Sequence, residues 1–243
     1  MSQKTVGILG GMGPAAGIYF AQKLIDLNAT AKTDADHVPF ILCSDHQIPS
    51  RVDSFLHRTQ SPVPLLTTLL QKLASLGADF GVMICNTAHI YYDEIAAEVD
   101  LPLINMVANV ASHAASLKLE GRKVGLLATE ATVKSGLYTQ YFNEYGIDIV
   151  VPSEEEQSLV SSAIFGSESG IKATGITASD TAIRILAKVA QSMQQRMGIH
   201  HLLLGCTELS FAIPTPIWEG FQIIDPVQAL AQTCLARTRT LPR

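Results

Sequence analysis

The chain has 243 residues, 47% apolar and 16% charged with a single Trp, a composition that fills a core and excludes a largely disordered protein. A formal charge of −5, a pI near 5.8 and no basic cluster exclude the electrostatic footprint of a nucleic-acid or anionic-membrane partner. No apolar run approaches the ~18 residues of a membrane span, and residues 1–4 lead into a strand-like run instead of a signal peptide, so a cytoplasmic protein is expected.

In chain order, residues 5–9 read as a strand that breaks at Gly10-Gly11-Met12-Gly13-Pro14 and enters a helix over 15–27. Glycines let the backbone turn and approach a ligand, and Pro14 suits the first position of a helix. A strand over 38–44 runs into a loop, 45–51, whose Arg51 has the fork geometry to clamp a carboxylate. Leu65, Leu66, Leu69, Leu70 and Leu73 repeat at three and four and predict a helix over 63–77. A buried strand into Cys85, a helix over 88–99, a strand over 101–106 and a helix over 107–117 follow.

Residues 123–127 open a second series, with helices near 135–145, 154–165 and 179–197, a strand over 147–151, and a strand into Cys206. Lys172 falls in the connection between the last two of those helices. A strand at 223–226 and a helix over 227–237 close the chain. Strands that are apolar at successive positions are covered on both faces, which predicts an α/β fold with mainly parallel sheets flanked by helices. At ~100 to 200 residues per domain the length allows one large α/β domain or two lobes, and the repeated series points to two similar lobes: 1–106, with 219–243 packing back on it, and 107–218.

Both series have an apolar run that ends in a cysteine and small polar residues: Phe80-Gly81-Val82-Met83-Ile84-Cys85-Asn86-Thr87 and Leu202-Leu203-Leu204-Gly205-Cys206-Thr207-Glu208. The cysteines lie 121 positions apart, and the segments beginning Thr5-Val6-Gly7-Ile8-Leu9 and Lys123-Val124-Gly125-Leu126-Leu127 are related by 118. Two similar offsets near half the chain length suggest an internal duplication, with two ordinary βα units of an α/β fold as the alternative. Open α/β sheets place their ligands at the carboxyl ends of their strands, where both thiols sit.

Cys43, Cys85, Cys206 and Cys234 form no CxxC pair, so free thiols are expected. The histidines show no metal-ligand spacing, and no metal is expected. Two thiols facing a small ligand from opposite sides would suit inversion of a carbon centre, one as thiolate and one as thiol. Helix starts after both cysteines are expected to lower their pKa values. Asn86, Thr87 and Thr207 supply donors beside the sulfurs, while the 11–13 loop, Thr129, Arg51 and Lys172 are candidates to hold carboxylates.

Taken together, Gly7-Ile8-Leu9-Gly10-Gly11-Met12-Gly13-Pro14, Cys85-Asn86-Thr87-Ala88-His89 and Leu204-Gly205-Cys206-Thr207-Glu208-Leu209 resemble three signatures of the aspartate racemase family, within the aspartate/glutamate racemase superfamily. The likeness continues through Ile48-Pro49-Ser50-Arg51 and Gly170-Ile171-Lys172 and so covers nearly the whole chain. It implies two α/β lobes related by a pseudo-twofold with the active site in the cleft between them, a homodimer, and no cofactor, neither pyridoxal phosphate nor metal.

By the same resemblance Cys85 and Cys206 are the acid/base pair. Met12, Asn86, Thr87, Thr129 and Thr207 bind substrate, and Arg51 and Lys172 partner its side-chain carboxylate. The chain departs from the family pattern at Gly17, where Thr is more usual, and at Ser50, where Asp is frequent. The expected reaction interconverts L- and D-aspartate, with glutamate as a second candidate. Two alternatives stand beside it: a two-lobed dicarboxylate or amino-acid binding protein without turnover, and a dinucleotide-binding protein, because residues 11–16 fit G-x-G-x-x-A and Asp45 ends the next strand.

Overall fold

A computed structural model describes residues 3–119 and 122–238; Met1 and Ser2, part of the segment read above as lacking a signal peptide, lie outside them. The chain forms two compact units, Met1–Asn109 with Val227–Arg243, and Val110–Pro226. No helix among the described residues is long and apolar enough to cross a membrane.

The first series runs β1 (Val6–Gly10), α1 (Pro14–Asp26), β2 (Phe40–Ser44), α2 (Arg51–His57), α3 (Val63–Ser75), β3 (Phe80–Met83), α4 (Tyr92–Ala97), β4 (Leu103–Ile104) and α5 (Met106–Ser116), and the boundary between units falls within α5. Its strands pair in parallel in the order β2-β1-β3-β4. Successive strand residues point to opposite faces. Val6, Ile8 and Val82 therefore pack with Phe20 and Leu24 of α1 and with Leu230 and Cys234 of the chain's last helix, while Leu9 and Met83 pack with Leu66, Leu70 and Leu73 of α3.

Three expectations shift here. Residues 45–51 end in a helix, because Ser50 Oγ accepts the Asp53 N–H at 3.2 Å and so caps α2, with Arg51 as its first residue. The helix expected over 88–99 is a 3₁₀ turn, Thr87–Tyr91, followed by α4. The strand over 101–106 shortens to β4, since Asn105 Oδ1 accepts from the N–H groups of Val107 and Ala108 and starts α5 early.

The second series runs β5 (Lys123–Ala128), α6 (Glu130–Lys134), α7 (Leu137–Asn143), β6 (Asp148–Val150), α8 (Glu154–Phe165), α9 (Ile171–Thr174), α10 (Asp180–Met197), β7 (His201–Gly205), α11 (Thr207–Ala212), β8 (Ile217–Trp218), β9 (Phe221–Ile224) and α12 (Pro226–Thr238). Its sheet order is β6-β5-β7-β9-β8, parallel except for the edge strand β8. A capping box, Ser153 with Glu156, starts α8. On α10, Ala182, Leu186, Val189, Ala190 and Met193 form one buried stripe; each large apolar side chain in it contributes ~1.5–3 kcal/mol by burial.

The helix expected over 135–145 is α7, which begins after Gly136 and is preceded by a separate short helix, α6, and Lys172 lies on the short helix α9, not in a loop. The return to the first unit begins at Val227, not at 219. Phe221–Ile224 pair with β7, so this stretch is a strand of the second sheet and only α12 belongs with the first unit. Thr233 Oγ1 on α12 donates to Asn109 Oδ1 at 2.7 Å.

The two sheets share a strand plan, and the pairing repeats residue by residue. Val6 pairs with Phe80 as Val124 pairs with His201, Ile8 with Val82 as Leu126 with Leu203, and Leu9 with Met83 as Leu127 with Leu204. The weak self-similarity of the sequence is thus written in the register of the strands. Cys85 and Cys206 lie at equivalent points beyond β3 and β7.

Candidate active site

In the first unit, β3 delivers Cys85, Asn86 and Thr87 to its carboxyl end, all buried. Cys85 shares an apolar cluster with Met12 and Ile48. The Cys85 carbonyl accepts a hydrogen bond from His89 Nδ1 at 2.9 Å, while the Met106 N–H donates to His89 Nε2 at 3.1 Å. Because Nε2 is an acceptor, the ring proton is on Nδ1 and the imidazole is neutral. Burial pushes the His89 pKa down to about 4. His89 thus ties the end of β3 to the start of α5, and its ring stacks on Tyr92 with centroids 5.8 Å apart.

Arg51 spends three of its five N–H groups on backbone carbonyls: Nη1 on Pro49 at 2.8 Å and Ile48 at 3.2 Å, and Nη2 on Met12 at 3.2 Å. Its Nε is buried without a hydrogen-bond partner. The guanidinium therefore pins the glycine loop and keeps Nε–H and one Nη2–H for another acceptor. Gly11 has φ +90°, and a Cβ there would collide with the Asp45 backbone. The glycine is thus required by the chain's own packing. The Asp45 carboxylate accepts from the Gln47 N–H at 2.8 Å.

In the second unit, Ala128 pairs with Gly205, so Thr129 and Cys206 leave adjacent strands side by side. A Cβ on Gly205 would lie 2.6 Å from Leu126 Cδ1 and 2.7 Å from Ala128 Cβ, which makes glycine the residue that can precede Cys206 here. Thr129 Oγ1 caps α6 by accepting from the Thr132 N–H at 3.3 Å and lies 3.0 Å from Thr132 Oγ1. Gln157 supports the same turn by donating to the Ala128 carbonyl at 3.0 Å.

Glu208, 2% exposed, is the centre of this end of the sheet. Its Oε2 accepts from Cys206 Sγ and from Thr207 Oγ1, each at 3.1 Å, and its Oε1 forms an ion pair with Lys172 Nζ. A buried carboxylate is tolerated when it is paired and hydrogen-bonded in this way. Burial pushes the Cys206 thiol well above its usual pKa, the Glu208 charge adds to that, and Lys172 acts against it. The activation expected from a helix start is therefore reversed at Cys206: desolvation and a neighbouring anion outweigh the first turn of a six-residue helix.

Within the first unit Met12, Arg51, Cys85, Asn86 and Thr87 fall on or around one cluster, and within the second Lys172, Cys206 and Thr207 converge, with Thr129 on the adjoining strand end. On sequence alone Glu208 fits two readings equally, a carboxylate that orients a ligand amine or a thiol and a first-turn acid that answers the helix dipole, and its contacts with Cys206 and Lys172 favour the first. The sequence signal for its burial is the apolar Leu209 beside it and the Phe211 that follows. Gln157 carries no such signal, since its partner is 29 residues away. Among the described residues, no group of three or more His, Cys, Asp or Glu is arranged to hold a metal ion.

These features define an α/β protein of duplicated plan with a cysteine at equivalent ends of its two sheets. Residues 9–234 match the family described as Asp/Glu/Hydantoin racemase, and the chain belongs to that family. It is 32% identical to Picrophilus torridus aspartate racemase, with 97% of this chain and 94% of that one covered and a TM-score of 0.84. It is also 27% identical to the broad specificity amino-acid racemase RacX of Bacillus subtilis, over 63% of this chain and 67% of that protein. Over 65% of this chain it is 29% identical to the glutamate racemase of Desulforudis audaxviator, and there the match spans 55% of the relative's length. Family and neighbours together support racemase chemistry on an amino acid.

Proposed function

We propose that the chain is a cofactor-independent racemase that interconverts L- and D-aspartate, with glutamate as a second substrate, by two-base proton transfer. The observation that carries this reading is the delivery of Cys85 and Cys206 past equivalent strands, β3 and β7, of sheets with the same plan. In the proposed reaction one cysteine thiolate takes the Cα proton, the electron pair left on Cα spreads into the α-carboxylate, and the other thiol returns a proton on the opposite face.

The Cα proton is weakly acidic, so donors aimed at the α-carboxylate must stabilise the developing charge. Asn86, Thr87, Thr129 and Thr207, with the Met12 loop, are assigned that work. Arg51 and Lys172 are assigned to the side-chain carboxylate. The N–H groups left on Arg51 suit a carboxylate approached side-on. The extent of the likeness to an aspartate racemase favours the four-carbon dicarboxylate. A cytoplasmic homodimer belongs to the same reading; light scattering of the purified chain at monomer mass would remove the dimer from it.

The test is incubation of the protein, stripped of pyridoxal phosphate and in EDTA, with L-aspartate in D₂O. Loss of optical rotation together with deuterium at Cα is expected. An L-aspartate and an L-glutamate that both keep their Cα hydrogen would overturn the proposal.

A further inference from the structure

We propose that Glu208 is a positioning residue for Cys206: its buried carboxylate, balanced by the Lys172 ammonium, keeps the proton on the Cys206 thiol and makes Cys206 the protonated member of the pair in the substrate-free protein. This rests on the two-cysteine reading above and adds to it the resting state of one sulfur.

The geometry carries the inference. A carboxylate can only accept, so the contact between Cys206 Sγ and Glu208 Oε2 at 3.1 Å uses the thiol proton. Thr207 Oγ1 donates to the same oxygen, and Lys172 occupies the other. With Lys172 cationic, Glu208 anionic and Cys206 a thiol, the buried group is neutral. Removing the thiol proton would leave two anions 3.1 Å apart against one cation. A dipole-answering acid would face solvent at the helix start, whereas this one is turned inward onto sulfur.

Among the described residues of the second unit, the charges that act on Cys206 are those of Glu208 and Lys172. The elements packed on α11 include α9, which supplies Lys172, and β7, whose one titratable residue, His201, is at the far end of the strand. Asp225, beyond β9, accepts from Ser210 Oγ at 2.7 Å. The pair of opposite charges on Cys206 therefore makes opposite predictions for two substitutions.

The experiment follows the pH dependence of Cys206 alkylation by iodoacetamide, mapped by mass spectrometry in the full-length chain, for wild type, Glu208→Gln and Lys172→Met. Loss of the anion is expected to lower the midpoint by about one pH unit or more, close to tenfold faster labelling at a fixed lower pH, and loss of the cation to raise it. Loosened packing alone would speed labelling in both variants, and that result, or an unmoved midpoint, overturns the proposal. If Glu208→Gln does not fold, Lys172→Met and Glu208→Asp decide: a midpoint unchanged in the first or lowered toward that of an ordinary thiol in the second counts against it. Because labelling needs no turnover, a failure of the racemase reading shows in the D₂O assay and a failure of this one in the midpoints.

Discussion

Cys85 and Cys206 leave equivalent strands of two sheets built in the same order, yet their surroundings differ in kind. Beside Cys85 stands a neutral ring, His89, which holds the Cys85 carbonyl and the Met106 N–H. Beside Cys206 stands a buried ion pair whose carboxylate touches the sulfur itself. The glycine loop of the first unit is pinned from outside by Arg51, whereas the corresponding turn of the second is capped from within by Thr129. Two sheets that share a strand register thus differ in the groups that stand beside each cysteine. Sheet register is fixed by many paired residues at once and tolerates little change; one side chain at a strand end is free to change the local charge.

The sharpest way to break the comparison is to remove one sulfur at a time. Cys85→Ser and Cys206→Ser are each expected to lower racemisation by about 10²–10⁴-fold, the usual weight of a positioned acid or base. If the two halves act from opposite faces, each variant keeps exchange of the Cα hydrogen with one enantiomer only, and the two variants keep opposite ones. Deuterium incorporation from L- and D-aspartate, measured separately, reads this. Two variants that retain exchange with the same enantiomer would show that the cysteines do not divide the faces.

The next prediction concerns the neutral side of the comparison. The folded pKa of His89 is about 4, below the ordinary imidazole value, because burial penalises the charged ring. A depressed pKa means that the unfolded chain binds this proton first as pH falls. The stability tied to neutral His89 is complete above ~6.5 and is lost as pH drops toward 4, by roughly 3 kcal/mol in all. Urea unfolding at pH 7.5, 5.5 and 4.5 should show this loss in wild type and a shallower one in His89→Gln. Equal slopes in the two proteins would assign the acid sensitivity to other groups.

Much of the frame was legible in the sequence, for identifiable reasons. Runs such as Val6 to Leu9 and Leu202 to Leu204 are buried on both faces, and a continuous apolar run between glycine or polar breaks is a strong local signal. The paired cysteines and the offset between halves were legible because both follow such runs. What the residues alone left out depends on contacts distant along the chain. Glu208 reads equally as an ordinary first-turn acid and as a carboxylate that orients a ligand amine or a thiol until Lys172, 36 residues earlier, is placed against it. The start of α2 was missed because one serine hydroxyl decides it, and the return at Val227 because β9 is short and its partner strand lies across a helix and β8.

The smallest effect tests whether the second unit's turn does more than hold itself together. Thr129 Oγ1 caps α6, and the same hydroxyl is assigned to a substrate carboxylate. Thr129→Ala removes both. Loss of the cap is expected to cost about 1 kcal/mol of stability, and loss of a net hydrogen bond worth ~0.5–1.5 kcal/mol to raise KM for aspartate by roughly twofold to tenfold with little change in kcat. Thr129→Ser keeps the hydroxyl and is expected to restore KM fully and stability in large part. The two readouts separate the roles, because a cap acts on the folded chain whether or not substrate is present. Stability that falls while KM stays fixed would make Thr129 a cap alone. The second loop would then match the first in function, each positioned by its own device, Arg51 in one unit and Thr129 in the other, with substrate left to the groups around the sulfurs.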